Sequence, residues 1–195
     1  MERILQDFSE IGLVLNQDWL GGVELLNESP LTHDDVYRAL MCSDVRESCI
    51  SSATCPGNSW DLRSLKRVPR GSYLFQITSA IDISLPDIQR PRATGSSTKR
   101  MLKLTLHSGP ARPVHAVELD PIPNLPDNPD AGTKIILSGS PIVSAELILL
   151  RPENVKIVGG DVPSLCAQQE ADARNRSACK DPLTYRTGSR AVAGR

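Results

Sequence analysis

The spacing of apolar residues changes once along this chain, and that change sets its class. At Ile4, Leu5, Phe8, Ile11, Gly12 and Leu15 the spacing is three and four, which puts them on one helix face. Asp18 is placed to cap a second stretch carrying Trp19, Leu20, Val23, Leu25 and Leu26, ended by Ser29-Pro30. Thr32 followed by Asp35 has the form of a capping box, and Val36, Ala39, Leu40 and Val45 continue the stripe. Each of these three helices is too short to stand alone, so they must pack on one another or on the next module. Ser51 to Gly57 breaks the pattern as a linker.

From Tyr73 the period is two. Tyr73 to Ile83 is rich in β-branched and apolar residues, and Leu102, Leu104 and Leu106 alternate with Lys103, Thr105 and His107, as in a strand buried on one face. Further strands are expected at 114–119, 134–138, 145–150 and 155–158. About five short strands in about 90 residues, separated by Gly and Pro turns, predict a small closed or nearly closed barrel. The connection Asp120 to Gly132 carries four prolines, excludes a regular helix and must run extended over the surface. Gly159-Gly160 reads as a turn that lets the chain leave the barrel, before a short helix from Asp161 to about Arg174. The expected organisation is α+β: an acidic three-helix bundle over 1–60, a five-stranded barrel over 61–165 with an inserted loop at 85–99, then a short helix and flexible tail over 166–195.

Charge divides the same way. Residues 1–60 hold three basic side chains against ten acidic ones, so within a total of −1 the remainder of the chain is positive. That split suits two modules with different partners.

Catalytic chemistry has no visible carrier. Neither GxGxxG nor GxxxxGK[ST] occurs, there is no G-x-S-x-G elbow, and the carboxylates form no cluster that demands acid–base work. His107 and His115 fall on adjacent strands, but alternation puts His107 outside and no third ligand shares a spacing, so both read as exposed polar positions and no metal or cofactor is expected. The five cysteines include no C-x-x-C pair and read as free thiols of an intracellular protein. Every apolar run is far short of the roughly 18–20 residues of a membrane span, and the N-terminus lacks the form of a secretory signal. Small barrels often bind single strands, yet only Tyr73 and Phe75 are aromatic between residues 61 and 184, so stacking on bases is disfavoured. Weak, salt-sensitive phosphate contact through basic side chains is the most that composition supports.

Several segments, Val68 to Ser84 (VPRGSYLFQITSAIDIS), Arg100 to Leu104 (RMLKL), Gly132 to Ile135 (GTKI) and Leu149 to Val162 (LLRPENVKIVGGDV), resemble the N-terminal region of the RecQ-mediated genome instability protein 1 family. Asp18-Trp19-Leu20 and Leu31 to Arg46 are similar to its helical bundle. The resemblance implies helices joined to an OB barrel, in a nuclear, non-catalytic subunit that binds type IA topoisomerase III within a RecQ-helicase complex and promotes dissolution of double Holliday junctions. It also implies that the loop between the first two strands is the docking element: Leu85, Pro86, Asp87, Ile88, Gln89, Arg90, Pro91 and Arg92, with further contact through the barrel surface near Lys134. Arg90, Arg92, Lys99 and Arg100 are the candidates for weak DNA contact. No membrane and no small-molecule substrate is expected. A stand-alone single-stranded-DNA-binding barrel is the alternative.

Overall fold

The computed structural model describes residues 2–26, 30–50, 56–84 and 100–178. Its first part is a helical layer: α1 (Glu2–Glu10), α2 (Gln17–Leu25), α3 (His33–Met41) and the single turn α4 (Val45–Ser48), with another turn, α5 (Pro56–Ser59), leading to the sheet. Among the described residues three helices and two single turns thus stand where a bundle of three was expected. The capping box at α3 is present, with the Asp35 amide donating to Thr32 Oγ1 and the Thr32 amide to Asp35. At α2 the cap is Asn16, whose side chain accepts from the Asp18 amide, and not Asp18. Only Leu20 of α2 is buried, while Leu25 is 89% exposed. Five residues on from Leu20 the helix has turned by about 140° beyond a full circle, which carries Leu25 off the core-facing side.

Seven strands follow: β1 (Gly71–Asp82), β2 (Leu102–His107), β3 (Val114–Glu118), β4 (Lys134–Gly139), β5 (Val143–Ser144), β6 (Leu147–Leu150) and β7 (Val155–Gly159). They form one sheet in the order β5-β6-β3-β2-β1-β4-β7, with β3 and β6 parallel and every other pair antiparallel. The count exceeds five because the two-residue β5 forms a hairpin with β6 and because β7 extends the sheet beyond β4.

This order forces the sheet to curl. In a flat sheet β4 and β5 would lie five strand steps apart, about 24 Å at 4.8 Å per step. Only four Cα–Cα steps join Gly139 to Val143, which reach at most about 15 Å. The seam is held by the Val68 amide on the Pro141 carbonyl, the Val143 amide on the Lys66 carbonyl, and the Leu149 amide on the Ile142 carbonyl.

Inside the curl lie Phe75, Ile77, Leu102, Leu104, Leu106, Ala116, Ile135, Leu137, Ile148 and Leu150. The proline-rich connection contributes Ile122 and Leu125 to the same cluster, so it plugs the barrel as well as crossing its surface. On the outer face Leu74, opposite Ile136, joins Phe8, Leu13, Leu15, Leu20, Val36, Leu40 and Val45 in a second cluster under the helices. Residues 74–77 of β1 are therefore buried on both faces.

Gly160 shows how closely the layers approach. Its φ is +84°, and a Cβ there would lie 2.5 Å from the Met41 carbonyl oxygen at the end of α3. The final helix, α6, runs Pro163–Ala178, with proline in the first turn where its missing amide costs nothing.

The β5–β6 turn is made by Ala145 and Glu146, at φ 50° and 64°. A two-residue turn with both residues left-handed wants Asn-Gly, and each ordinary residue there costs roughly 1–2 kcal/mol. Replacing Ala145→Asn with Glu146→Gly is expected to stabilise the protein by about 1–2 kcal/mol, raising the melting temperature by roughly 2–8 °C. Calorimetry of the double variant checks this; an unchanged or lower midpoint would show that the turn is not strained.

Candidate functional site

Two features set the inserted loop apart from an ordinary connection: both of its ends are fixed, and apolar side chains lie exposed beside them. Residues 85–99 themselves, with Leu85, Pro86, Asp87, Ile88, Gln89, Arg90, Pro91, Arg92 and Lys99, lie outside the described residues. Their attachment points do not. On the incoming side the Ile83 amide donates to the Met101 carbonyl, and Asp82 Oδ1 accepts from the Ser84 amide, the Ser84 hydroxyl and the Met101 amide.

On the outgoing side stands Arg100. Its Nε and Nη2 donate to the two oxygens of Glu118 at 3.2 and 2.9 Å, and its Nη1 to Asp127 at 2.7 Å. Glu118 is fully buried and also accepts from the Ile122 amide at 2.7 Å. The Arg100 side chain is 9% exposed. Burial works against its charge, and the hydrogen bonds to Glu118 and Asp127 more than offset it, raising the guanidinium above its ordinary value. The expectation that Arg100 meets phosphate gives way to a different role: its donors face carboxylates within the protein, where it ties the loop root to β3 and to the proline-rich connection.

Across the strand ends beside this root, register places Ile83 opposite Met101, one step beyond the Asp82–Leu102 pair, and Met101 opposite Leu119, two steps beyond the Lys103–Val117 pair. The three side chains are 41%, 37% and 37% exposed. They make a short apolar row at the mouth of the loop. Nothing in the spacing of Arg100, Glu118 and Asp127 marks them as partners, and the row is invisible before the register is known.

Lys134 is also put to another use than surface contact. It has no exposed surface, and its ammonium donates to the carbonyls of Met41 at 2.9 Å and Ser43 at 2.8 Å. Opposite it on β1, Gln76 is equally buried; its amide nitrogen donates to Asp44 and its oxygen accepts from the Val45 amide. Arg46 covers Asp44, with Nε 2.9 Å from Oδ2. Burial pushes the Asp44 carboxyl up, but Arg46 and Gln76 together hold it below the usual range. Burial also pulls Lys134 down to about 8, although Asp44, Cys42, Asp161 and Cys49 oppose the shift. These groups weld the turn between α3 and α4 to the barrel.

His107 is half-buried rather than open to solvent, which lowers its pKa, and His115 sits against Thr105 on the neighbouring strand. Among the described residues no three His, Cys, Asp or Glu side chains come together as a metal site. Cys42 and Cys166 are free thiols. No helix among the described residues is long and apolar enough to cross a membrane.

Two outcomes follow from this geometry. Glu118→Ala strands the buried Arg100 and should cost about 3–5 kcal/mol, a fall in melting temperature of roughly 10 °C, whereas the double change Arg100→Met with Glu118→Leu should recover most of it. Failure of the double variant to recover would show that the pair does more than satisfy itself. For Lys134 the folded pKa lies below the unfolded one, so between about pH 8 and 10.5 the unfolded chain carries more protons and stability rises with pH. Urea midpoints of the parent, referenced to Lys134→Met, are expected to climb by the equivalent of roughly 2–3 kcal/mol over that interval. A flat difference would mean that the ammonium is not desolvated.

Residues 50–173 match the family model described as "RMI1, N-terminal OB-fold domain". Among curated proteins the chain is 31% identical over 154 residues to RecQ-mediated genome instability protein 1 of Xenopus laevis, covering 68% of this chain and 27% of that protein. It is 31% identical over 140 residues to the protein of that name in Gallus gallus, covering 60% and 22%. For the Mus musculus protein the figures are 34% over 128 residues, 53% and 21%. The chain thus spans about a quarter of the length of these relatives.

Proposed function

The chain belongs to the family of the RMI1 N-terminal OB-fold domain, and on that premise we propose that it is a non-catalytic subunit which acts in the nucleus to maintain genome stability. It binds a type IA topoisomerase III within a RecQ-helicase complex and promotes dissolution of double Holliday junctions. The inserted loop is the working element, and the barrel end that carries it is the docking face.

The observation that carries this reading is the anchored loop root. A connection of 15 residues is far longer than a hairpin needs, and loops of that length in compact domains are usually functional or disordered. Here the root is clamped by Asp82 on one side and by the Arg100–Glu118–Asp127 cluster on the other. A rigid base lowers the entropy lost when a loop is captured by a partner. The row Ile83, Met101 and Leu119 gives that partner apolar surface beside the loop. Within the loop Leu85 and Ile88 supply apolar contacts and Arg90 and Arg92 supply cations, a composition suited to an acidic or DNA-filled cleft. The names borne by the relatives connect them to RecQ-mediated genome instability.

Replacing residues 86–98 by a short Gly-Ser turn should leave the barrel folded, because loop length alone costs little. The variant should still be captured, more weakly, by topoisomerase III, and should lose its stimulation of decatenation or double-junction dissolution. A loopless protein that folds, binds and stimulates like the parent would show that the loop is not the working element.

A further inference from the structure

The cations the loop root does not use are concentrated elsewhere. Between α5 and β1 the chain forms a strap, residues 60–70, that carries Arg63, Lys66, Arg67 and Arg70 with Asp61 as its only carboxylate. All four basic side chains are exposed. The strap is fixed: the Ser64 and Leu65 amides donate to the Asp61 carbonyl, Val68 is buried and its amide donates to Pro141, and the Lys66 carbonyl accepts from Val143. Arg67 is bridged to Ile142 and its Nη1 donates to the Ser140 carbonyl.

Beside the strap lies a cavity of about 750 Å³ whose lining includes Trp60, Leu62, Arg63, Arg112, Pro113 and Glu146. Arg63 meets Glu146 at 3.1 Å. Among the described residues no carboxylate lies within ion-pair distance of Lys66, Arg67, Arg70 or Arg112. β1 begins directly after the strap and ends at the loop root, so the two are separated by up to about 36 Å of strand.

We propose that the strap and Arg112 form a second interaction surface, distinct from the loop, which holds the phosphate backbone of single-stranded DNA. Apart from Arg63, the cations of this surface, Lys66, Arg67, Arg70 and Arg112, have no carboxylate partner among the described residues, the arrangement that phosphate contact needs, since these groups replace condensed counterions without first breaking an ion pair. An unpaired base could rest in the neighbouring cavity against the half-buried Trp60, an apolar surface that a duplex has no base free to use. With one such aromatic the affinity is modest and mostly electrostatic. The inference does not depend on topoisomerase binding.

Fluorescence anisotropy of the full chain with labelled dT30 tests it. Four phosphate contacts predict a log–log salt slope of about −3, at roughly −0.7 per contact. Lys66→Glu with Arg70→Glu should weaken binding at least tenfold at low salt and reduce the slope to about −1.5 or shallower. Arg38→Glu, on the exposed face of α3, should change neither. In a Trp19→Phe background, emission from Trp60 should change on addition of dT30. Strap variants that bind as the parent does would overturn the proposal. So would polyglutamate competing as well as dT30 at equal charge, or a duplex of equal length binding as tightly. The melting temperatures of the variants, unchanged for these exposed positions, separate loss of contact from loss of fold.

Discussion

The contact on which the molecule depends is the β1–β4 ladder, which has protein on both of its faces. Phe75 and Ile135 point into the barrel, while Leu74 and Ile136 one step along point into the helical layer. One step from Phe75 and Ile135 in the other direction stand Gln76 and Lys134, two polar side chains with no exposed surface. A buried ammonium needs acceptors for its donors, and here two main-chain carbonyls take two of the three. The two carbonyls and the Gln76–Asp44–Arg46 chain turn what would be a desolvation cost into an orientation constraint: the layers fit in one register, because Lys134 and Gln76 meet their partners in the turn between α3 and α4.

Much of this was legible in the residues. The change of period predicts helices and then strands, the Thr32–Asp35 box fixes the start of α3, and the alternating leucines of β2 point to the core as expected. The failures are also instructive. Leu25 and Leu26 belong to the apolar stretch of α2, yet Leu25 stands about 140° round the helix from buried Leu20 and Leu26 lies at the C-cap, so both meet solvent. The two-residue strand β5 carries no period at all, and its hairpin with β6 is what makes it a strand. Ile122 and Leu125 looked like surface because four prolines forbid regular structure, yet irregular backbone can still drop side chains into a core.

The candidate site was legible as a position but not as a mechanism of attachment. Length and proline content mark residues 85–99, whereas the clamp at its root joins side chains 18 and 27 positions apart in sequence. Lys134 illustrates the converse. A lysine that begins a strand is most often a solvated end, and its burial follows from the helical layer arriving over β4, a tertiary event with no local signal.

Beyond the apolar cluster around Leu74, the polar grip on the turn between α3 and α4 is taken mainly on its main chain. Lys134 reads the carbonyls of Met41 and Ser43, Gln76 reads the Val45 amide, and Gly160 fits under the Met41 carbonyl because it has no side chain. Asp44 is the exception. A grip of this kind is blind to side-chain identity along most of the turn it holds, so the turn between α3 and α4 can drift in sequence without letting go. The burden of recognition falls unequally, on a lysine, a glutamine and a glycine of the barrel side, where a single exchange has no neighbour able to take over its contact.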